Sequence, residues 1–147
     1  MKINFGTPPA VMKKRISFSR GPTVIPIDGM ALSGEITLPE KPRGLVIFAH
    51  DTPGSRHCTC NTLVADALHA VGIGSLLFDL LSEAETRDDR VRARFSSDIP
   101  LLAGRLVRAT RTIITNPLYG KLGLGYCGAC AGGAAALVAA AWLGKSV

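Results

Sequence analysis

Histidine and aromatic side chains are scarce in this chain, with three histidines, one tryptophan and 5% aromatic residues overall. From Ala131 onward there is no histidine, aspartate or glutamate. A nucleophile near the end of the sequence would therefore have to find any acid–base partner upstream, at His50, His57 or His69. Long apolar runs are also missing. The most hydrophobic stretch, Ala131 to Leu143, has 13 residues, fewer than the roughly 17–25 needed to span a bilayer, so it is expected to be a core helix and no membrane partner is expected. Met1 to Ile16 carries Pro8, Pro9 and then a basic cluster, without the apolar run of a secretory signal. A cytoplasmic location is the expectation. The formal charge is +6, but the basic residues are scattered and have no aromatics between them. That pattern lacks the clustered stripe of a nucleic-acid footprint, and a solvated surface is expected instead.

The chain has 147 residues, of which 47% are hydrophobic. It is expected to fold as one domain over residues 1–147, with no internal repeat and no linker. Thr23 to Ile27 and Met30 to Leu38 alternate about Asp28-Gly29, which predicts an antiparallel hairpin, and Pro26 places the first strand at an edge. Gly21-Pro22 is expected to break off a separate short edge strand over Arg15 to Ser19. Leu45 to Ala49 is a continuous apolar run, the pattern of a central strand covered on both faces. Asn61 to Val71 reads as a helix with Leu63, Val64, Ala67 and Leu68 on its apolar side, ended by Gly72, and His69 reads as a surface or helix-end residue. Ser75 to Phe78 is a second buried strand ending at Asp79. Ser82 to Arg94 is a charged surface excursion. Ile99 to Ile114 is an amphipathic helix, with Leu102, Leu106 and Ile113 toward the sheet and Arg105, Arg108 and Arg111 on a solvated outer face. Strands alternating with helices after a hairpin predict an α/β fold, a doubly wound and mostly parallel sheet with an N-terminal antiparallel hairpin.

Gly128-Ala129-Cys130-Ala131-Gly132 has the glycine spacing of a sharp strand-to-helix turn. It lies between a short strand, Leu122 to Cys127, and the apolar helix from Ala131 to Leu143. A side chain thrust onto such a turn demands close backbone approach, hence glycine on either side. The helix that follows aims its free amides at the thiol of Cys130. Four cysteines, Cys58, Cys60, Cys127 and Cys130, allow a metal site, a redox pair or four free thiols. The one-residue spacer between Cys58 and Cys60 argues against structural zinc, and Cys127 belongs to the strand rather than the turn. No metal and no cofactor are expected, although a thiol-based redox or metal role for Cys58, Cys60 and Cys130 stays open.

Leu45 to His50, the loop with Ser55-Arg56-His57, the strand Leu76 to Leu81, and Gly125 to Cys130 together resemble the α/β-hydrolase fold, in particular dienelactone hydrolase-like proteins. The resemblance covers most of the chain. It implies a shortened, partial α/β-hydrolase fold and hydrolysis of a small ester or lactone, with Cys130 as nucleophile. The oxyanion hole would be formed by the backbone amides of Ala131 and Thr52, and Arg56 and His57 would orient substrate or, in the case of His57, pair with the thiol. In this fold the triad acid and histidine follow the nucleophile, and neither is present after Cys130, so activity is expected to be impaired. A catalytically inactive remnant acting as a binding or assembly module is the alternative. The strand Leu122 to Cys127 would become an exposed edge, which predicts a homodimer or other assembly covering it, or a further C-terminal segment if the chain is part of a longer protein.

Overall fold

The computed structural model describes residues 18–50 and 58–147. Five strands form one sheet in the order β1-β2-β4-β3-β5. β1 (Phe18–Ile27) and β2 (Met30–Pro39) pair antiparallel from Ile27↔Met30 outward. Asp28 and Gly29 join them with φ of 49° and 78°, the doubly positive geometry of the two-residue turn that matches strand twist. β1 is an outer strand, as Pro26 requires. It does not stop at Gly21-Pro22 but runs through both, since an edge strand carries its ladder on one side only and tolerates a missing amide. The expected break there is therefore corrected, and residues 15–17 of the expected short strand lie outside the described residues.

β3 (Gly44–His50) pairs parallel with β4 (Gly74–Asp79) on one side and with β5 (Gly123–Gly128) on the other, while β4 pairs antiparallel with β2. β3 thus lies inside the sheet, as its unbroken apolar run predicts. Its alternate side chains go to two different cores. Leu45, Ile47 and Ala49 join Leu76 and Phe78 in a large cluster with α4 (Ile99–Thr115) and α5 (Cys130–Leu143). Phe48 joins Leu77 and Ala65 on the opposite face, with Val46, Leu68 and Cys127 against them, under α1 (Thr59–Ala70). Both faces are covered, so the sheet is doubly wound.

One helix buries a different face from the one predicted, and another buries its predicted face together with one arginine expected outside. In α1 the buried residues are Asn61, Ala65 and His69, whereas Leu63 is 65% exposed and Val64 is also exposed. His69 lies in the last turn of α1, as expected of a helix-end residue, but it is not at the surface, because it is buried and its Nε2 shares a 2.8 Å hydrogen bond with Ser75 Oγ of β4. The polar side of the helix docks because its polar groups find partners there. In α4 the expected apolar face is buried, but Arg105 is buried with it at 3% exposure. Its guanidinium donates to the Leu80 carbonyl at 2.7 Å and to the two carboxylate oxygens of Glu85 at 2.6 and 2.9 Å. Glu85 lies in α2 (Glu83–Arg87), which with α3 (Asp89–Phe95) forms the charged excursion after β4. Arg108 and Arg111 remain exposed, and Arg108 meets Asp28 of the hairpin turn at 2.8 Å.

Candidate active site

β5 runs into α5 through Ala129, whose backbone is extended at φ −129° and ψ 160°. Cys130, the first residue of the helix, has φ of 50°. Among the described residues only Asp28 shares a positive φ without being glycine, and it sits in a hairpin turn whose type requires it. A cysteine held in this region costs on the order of 1–3 kcal/mol and persists only where the surroundings impose it. Here they do. A Cβ on Gly132 would run into the carbonyl oxygen of Ala49 and lie 3.2 Å from the His50 Cα. One on Gly128 would come within 3.0 Å of that same oxygen and of the Gly132 backbone. The two glycines seat the first turn of α5 directly on the carboxyl end of β3, and Cys130 is what the sharp bend leaves outside.

Cys130 is exposed and Ala131 half-buried. Among the described residues no side chain caps the start of α5, whose N-cap is an alanine, so no described cap occupies the first-turn amides. An anion or a developing oxyanion at this helix terminus meets amide donors and the positive end of the dipole. Cys127, three residues earlier, is different. It belongs to β5 and packs against the small cluster under α1, and burial pushes its thiol pKa up, which leaves it a poor nucleophile. All four cysteines are free thiols. Among the described residues no group of three or more histidines, cysteines, aspartates or glutamates could hold a metal ion.

Two further polar residues stand at the same end of the sheet. His50 ends β3 and Asp79 ends β4, directly across the parallel register from each other, and the His50 ring lies 5.8 Å from that of Phe48. The strand ends Ala49-His50 and Phe78-Asp79 are readable in the sequence, but their pairing follows only from the strand order. Thr52, Arg56 and His57, the remaining predicted site residues, lie outside the described residues, as does Asp51. An open groove of about 500 Å³ runs from Gly128 and Gly133 at the turn along Tyr126 and Leu137 to Val147. No described helix is long and apolar enough to cross a membrane.

No protein-family model matches the chain. A protein of Mycobacterium tuberculosis carrying a provisional phosphoribosyl transferase name, in two strains, is 48% identical over 110 residues, or 75% of this chain. The chain spans about a quarter, 24%, of the length of these curated relatives. Among solved structures, the dienelactone hydrolase of Anabaena variabilis superposes with a TM-score of 0.83 at 38% identity, over 88% of this chain and 60% of that one. A dienelactone hydrolase-like promiscuous phosphotriesterase from metagenomic libraries gives 0.65 at 20% identity, over 87% and 56%. A cold-adapted esterase from an Arctic intertidal metagenomic library gives 0.62 at 17%, over 88% and 56%. These last two show the fold alone. The strand order, the sheet covered on both faces, the strained cysteine at the strand-to-helix turn and the close likeness to the Anabaena structure together identify the chain as dienelactone hydrolase-like, with a partial α/β-hydrolase fold.

Proposed function

We propose that the chain is an ester or lactone hydrolase module in which Cys130 is the nucleophile. The observation that carries this reading is the positive φ of Cys130 between two glycines that only glycine could fill. The thiolate sulfur attacks the substrate carbonyl carbon, and the carbonyl oxygen becomes an oxyanion held by the amide of Ala131 and that of Thr52. The C–O bond to the leaving group then breaks and a thioester remains. Arg56 and His57 orient the substrate. Within these 147 residues no acid or histidine follows Cys130, so these residues alone supply no downstream base for water attack on the thioester, and the 147-residue chain is expected to release product slowly. A small chromogenic ester should give a stoichiometric burst and then slow release, with the burst lost in Cys130→Ala. Equal time courses in the two proteins would remove Cys130 from the mechanism.

The apolar face beside the turn favours a second reading, a binding or assembly module with its chemistry lost. Leu137, which lines the groove next to the β5 side that no described strand pairs, is 76% exposed, and Trp142, farther along α5, is 58% exposed. We expect a homodimer or other assembly to cover this face in either reading. The M. tuberculosis relative is four times as long as the matched segment and is named for a different chemistry, which fits a hydrolase-like module accompanying a second activity. No residue of this chain is assigned to phosphoribosyl transfer. Four free thiols suit a reducing, cytoplasmic setting.

A further inference from the structure

Cys58 and Cys60 are exposed free thiols one residue apart at the start of α1, and the ester chemistry of Cys130 uses neither. Cys58 is the N-cap. Its carbonyl oxygen accepts from the Thr62 amide at 3.1 Å and from the Thr62 hydroxyl at 3.2 Å, and its own backbone is extended at φ −65° and ψ 132°. An N-cap side chain lies against the amides of the second and third helical residues, here Cys60 and Asn61. The Cys60 amide, and after it the Asn61 amide, draw the Cys58 pKa below the ordinary thiol value; burial opposes them, and the Cys60 thiol adds a lesser pull in the same direction as the amides. No acidic residue in the first turn counters them. Residues two apart at a helix start have Cα atoms about 5–6 Å apart, inside the range of roughly 4.4–6.8 Å that a disulfide bridges.

We propose that Cys58 and Cys60 form a peroxide-oxidisable dithiol in which Cys58 is the attacking sulfur and Cys60 resolves it. The Cys58 thiolate attacks a hydroperoxide oxygen. An S–O bond forms, the O–O bond breaks, and the departing oxide takes a proton to leave as water or alcohol. Cys58 loses two electrons and becomes a sulfenic acid, while the peroxide gains them. The Cys60 sulfur then attacks the Cys58 sulfur, the S–S bond forms, and hydroxide leaves with the Cys60 proton as water. The bridge ties the N-cap to the second residue of α1. Its reversal needs an external thiol reductant.

Hydrogen peroxide is the probe, applied to the full chain, with alkylation and peptide mass spectrometry reading each cysteine. Wild type should lose the Cys58 and Cys60 thiols together, become lighter by about 2 Da and recover with dithiothreitol. Cys60→Ser should stop at a sulfenic acid on Cys58 that dimedone traps. Cys58→Ser keeps a good helix cap, and in it Cys60 oxidation should slow about tenfold or more, as expected when the more acidic thiol is removed. The proposal is overturned if Cys60 oxidises equally fast in Cys58→Ser. It is equally overturned if the bridge forms between chains or to Cys127 or Cys130, or if both thiols survive a dose that oxidises Cys130. None of these readouts depends on ester hydrolysis, so this proposal and the function of Cys130 stand or fall separately.

Discussion

At Cys130 the chain holds a side chain in a backbone conformation that favours glycine, and the glycines stand at the neighbouring positions instead. The reason is steric. Gly128 and Gly132 are where β5 and α5 press on the Ala49 carbonyl, so a Cβ is excluded there, while the bend between them points outward and accepts one. Gly132→Ala should therefore destabilise the fold by about 1–3 kcal/mol through backbone overpacking and should lower the acylation rate of Cys130 at the same time. A urea midpoint equal to that of wild type would show that the approach to Ala49 is looser than described. The motif was legible in the sequence because its logic is local: glycine, one residue, nucleophile, one residue, glycine, with an apolar strand before and an alanine-rich helix after. The residues meant to complete the site were less so. Thr52, Arg56 and His57 follow from the resemblance alone, and the juxtaposition of His50 with Asp79 depends on β3 and β4 being neighbours in parallel register.

Between elements, polar pairs hold the helices to the sheet, and these were the features the sequence hid. The Asp28-Gly29 hairpin, the interior strand at Leu45–Ala49 and the stop at Gly72 each have a local signal, whereas the burial of His69 and of Arg105 depends on partners distant in space. His69 needs Ser75 on β4, and Arg105 needs Glu85 and the Leu80 carbonyl. For Glu85, burial pushes the carboxyl pKa up, but hydrogen bonds from Arg105 and Ser82 outweigh it and hold it below the ordinary value. The stabilisation from this tie is therefore complete above the ordinary carboxylate pKa and is lost as the pH falls from there through the lower, folded value. Glu85→Ala, which strands the Arg105 guanidinium, should cost about 3–5 kcal/mol, whereas an Arg105→Met, Glu85→Leu pair should cost distinctly less. Chemical denaturation of the three proteins compares them directly.

The α1 contact should also make stability depend on pH near neutrality. Burial holds the His69 pKa below the ordinary histidine value despite the pull of Asp66, 3.8 Å from Nδ1, with Arg20 opposing and Glu35 assisting protonation from the hairpin side. Between about pH 6.5, the unfolded value, and the lower folded value, the unfolded chain binds a proton that the folded chain does not. Stability is thus intact above about 6.5, falls as the pH drops through this window, and levels off below the folded pKa. Urea midpoints at about pH 7.5 and 5.5 should differ in wild type, and the difference should shrink in His69→Gln, which removes the titration. An unchanged difference in that variant would place the pH dependence elsewhere.

Across the whole molecule, the sheet is unequally finished at its two ends. The β1 end carries Pro22 and Pro26 and a charged pair, Arg20 with Glu35 at 2.7 Å, which discourage another strand from adding there. The β5 end has neither. It is rich in glycine, flanked by α5, which is apolar around most of its circumference, and continuous with the groove that starts at the Cys130 turn. A helix hydrophobic on all sides is ordinarily buried on all sides, yet Leu137 and Trp142 face outward among the described residues. Self-association through the groove side would bury Leu137, and it makes a sharp prediction. Light scattering at micromolar concentration should report at least a dimer for the wild-type chain. Leu137→Arg, which puts a charge where the apolar contact should be, should shift it to a monomer with an unchanged far-UV circular dichroism spectrum. Because Leu137 is already exposed within one chain, the substitution should leave monomer stability within about 0.5 kcal/mol, so a loss of mass would report the interface and not unfolding. A wild-type chain that is monomeric at that concentration, or a Leu137→Arg variant that stays dimeric, would remove this face from any self-assembly and leave it to another chain or to sequence outside these 147 residues.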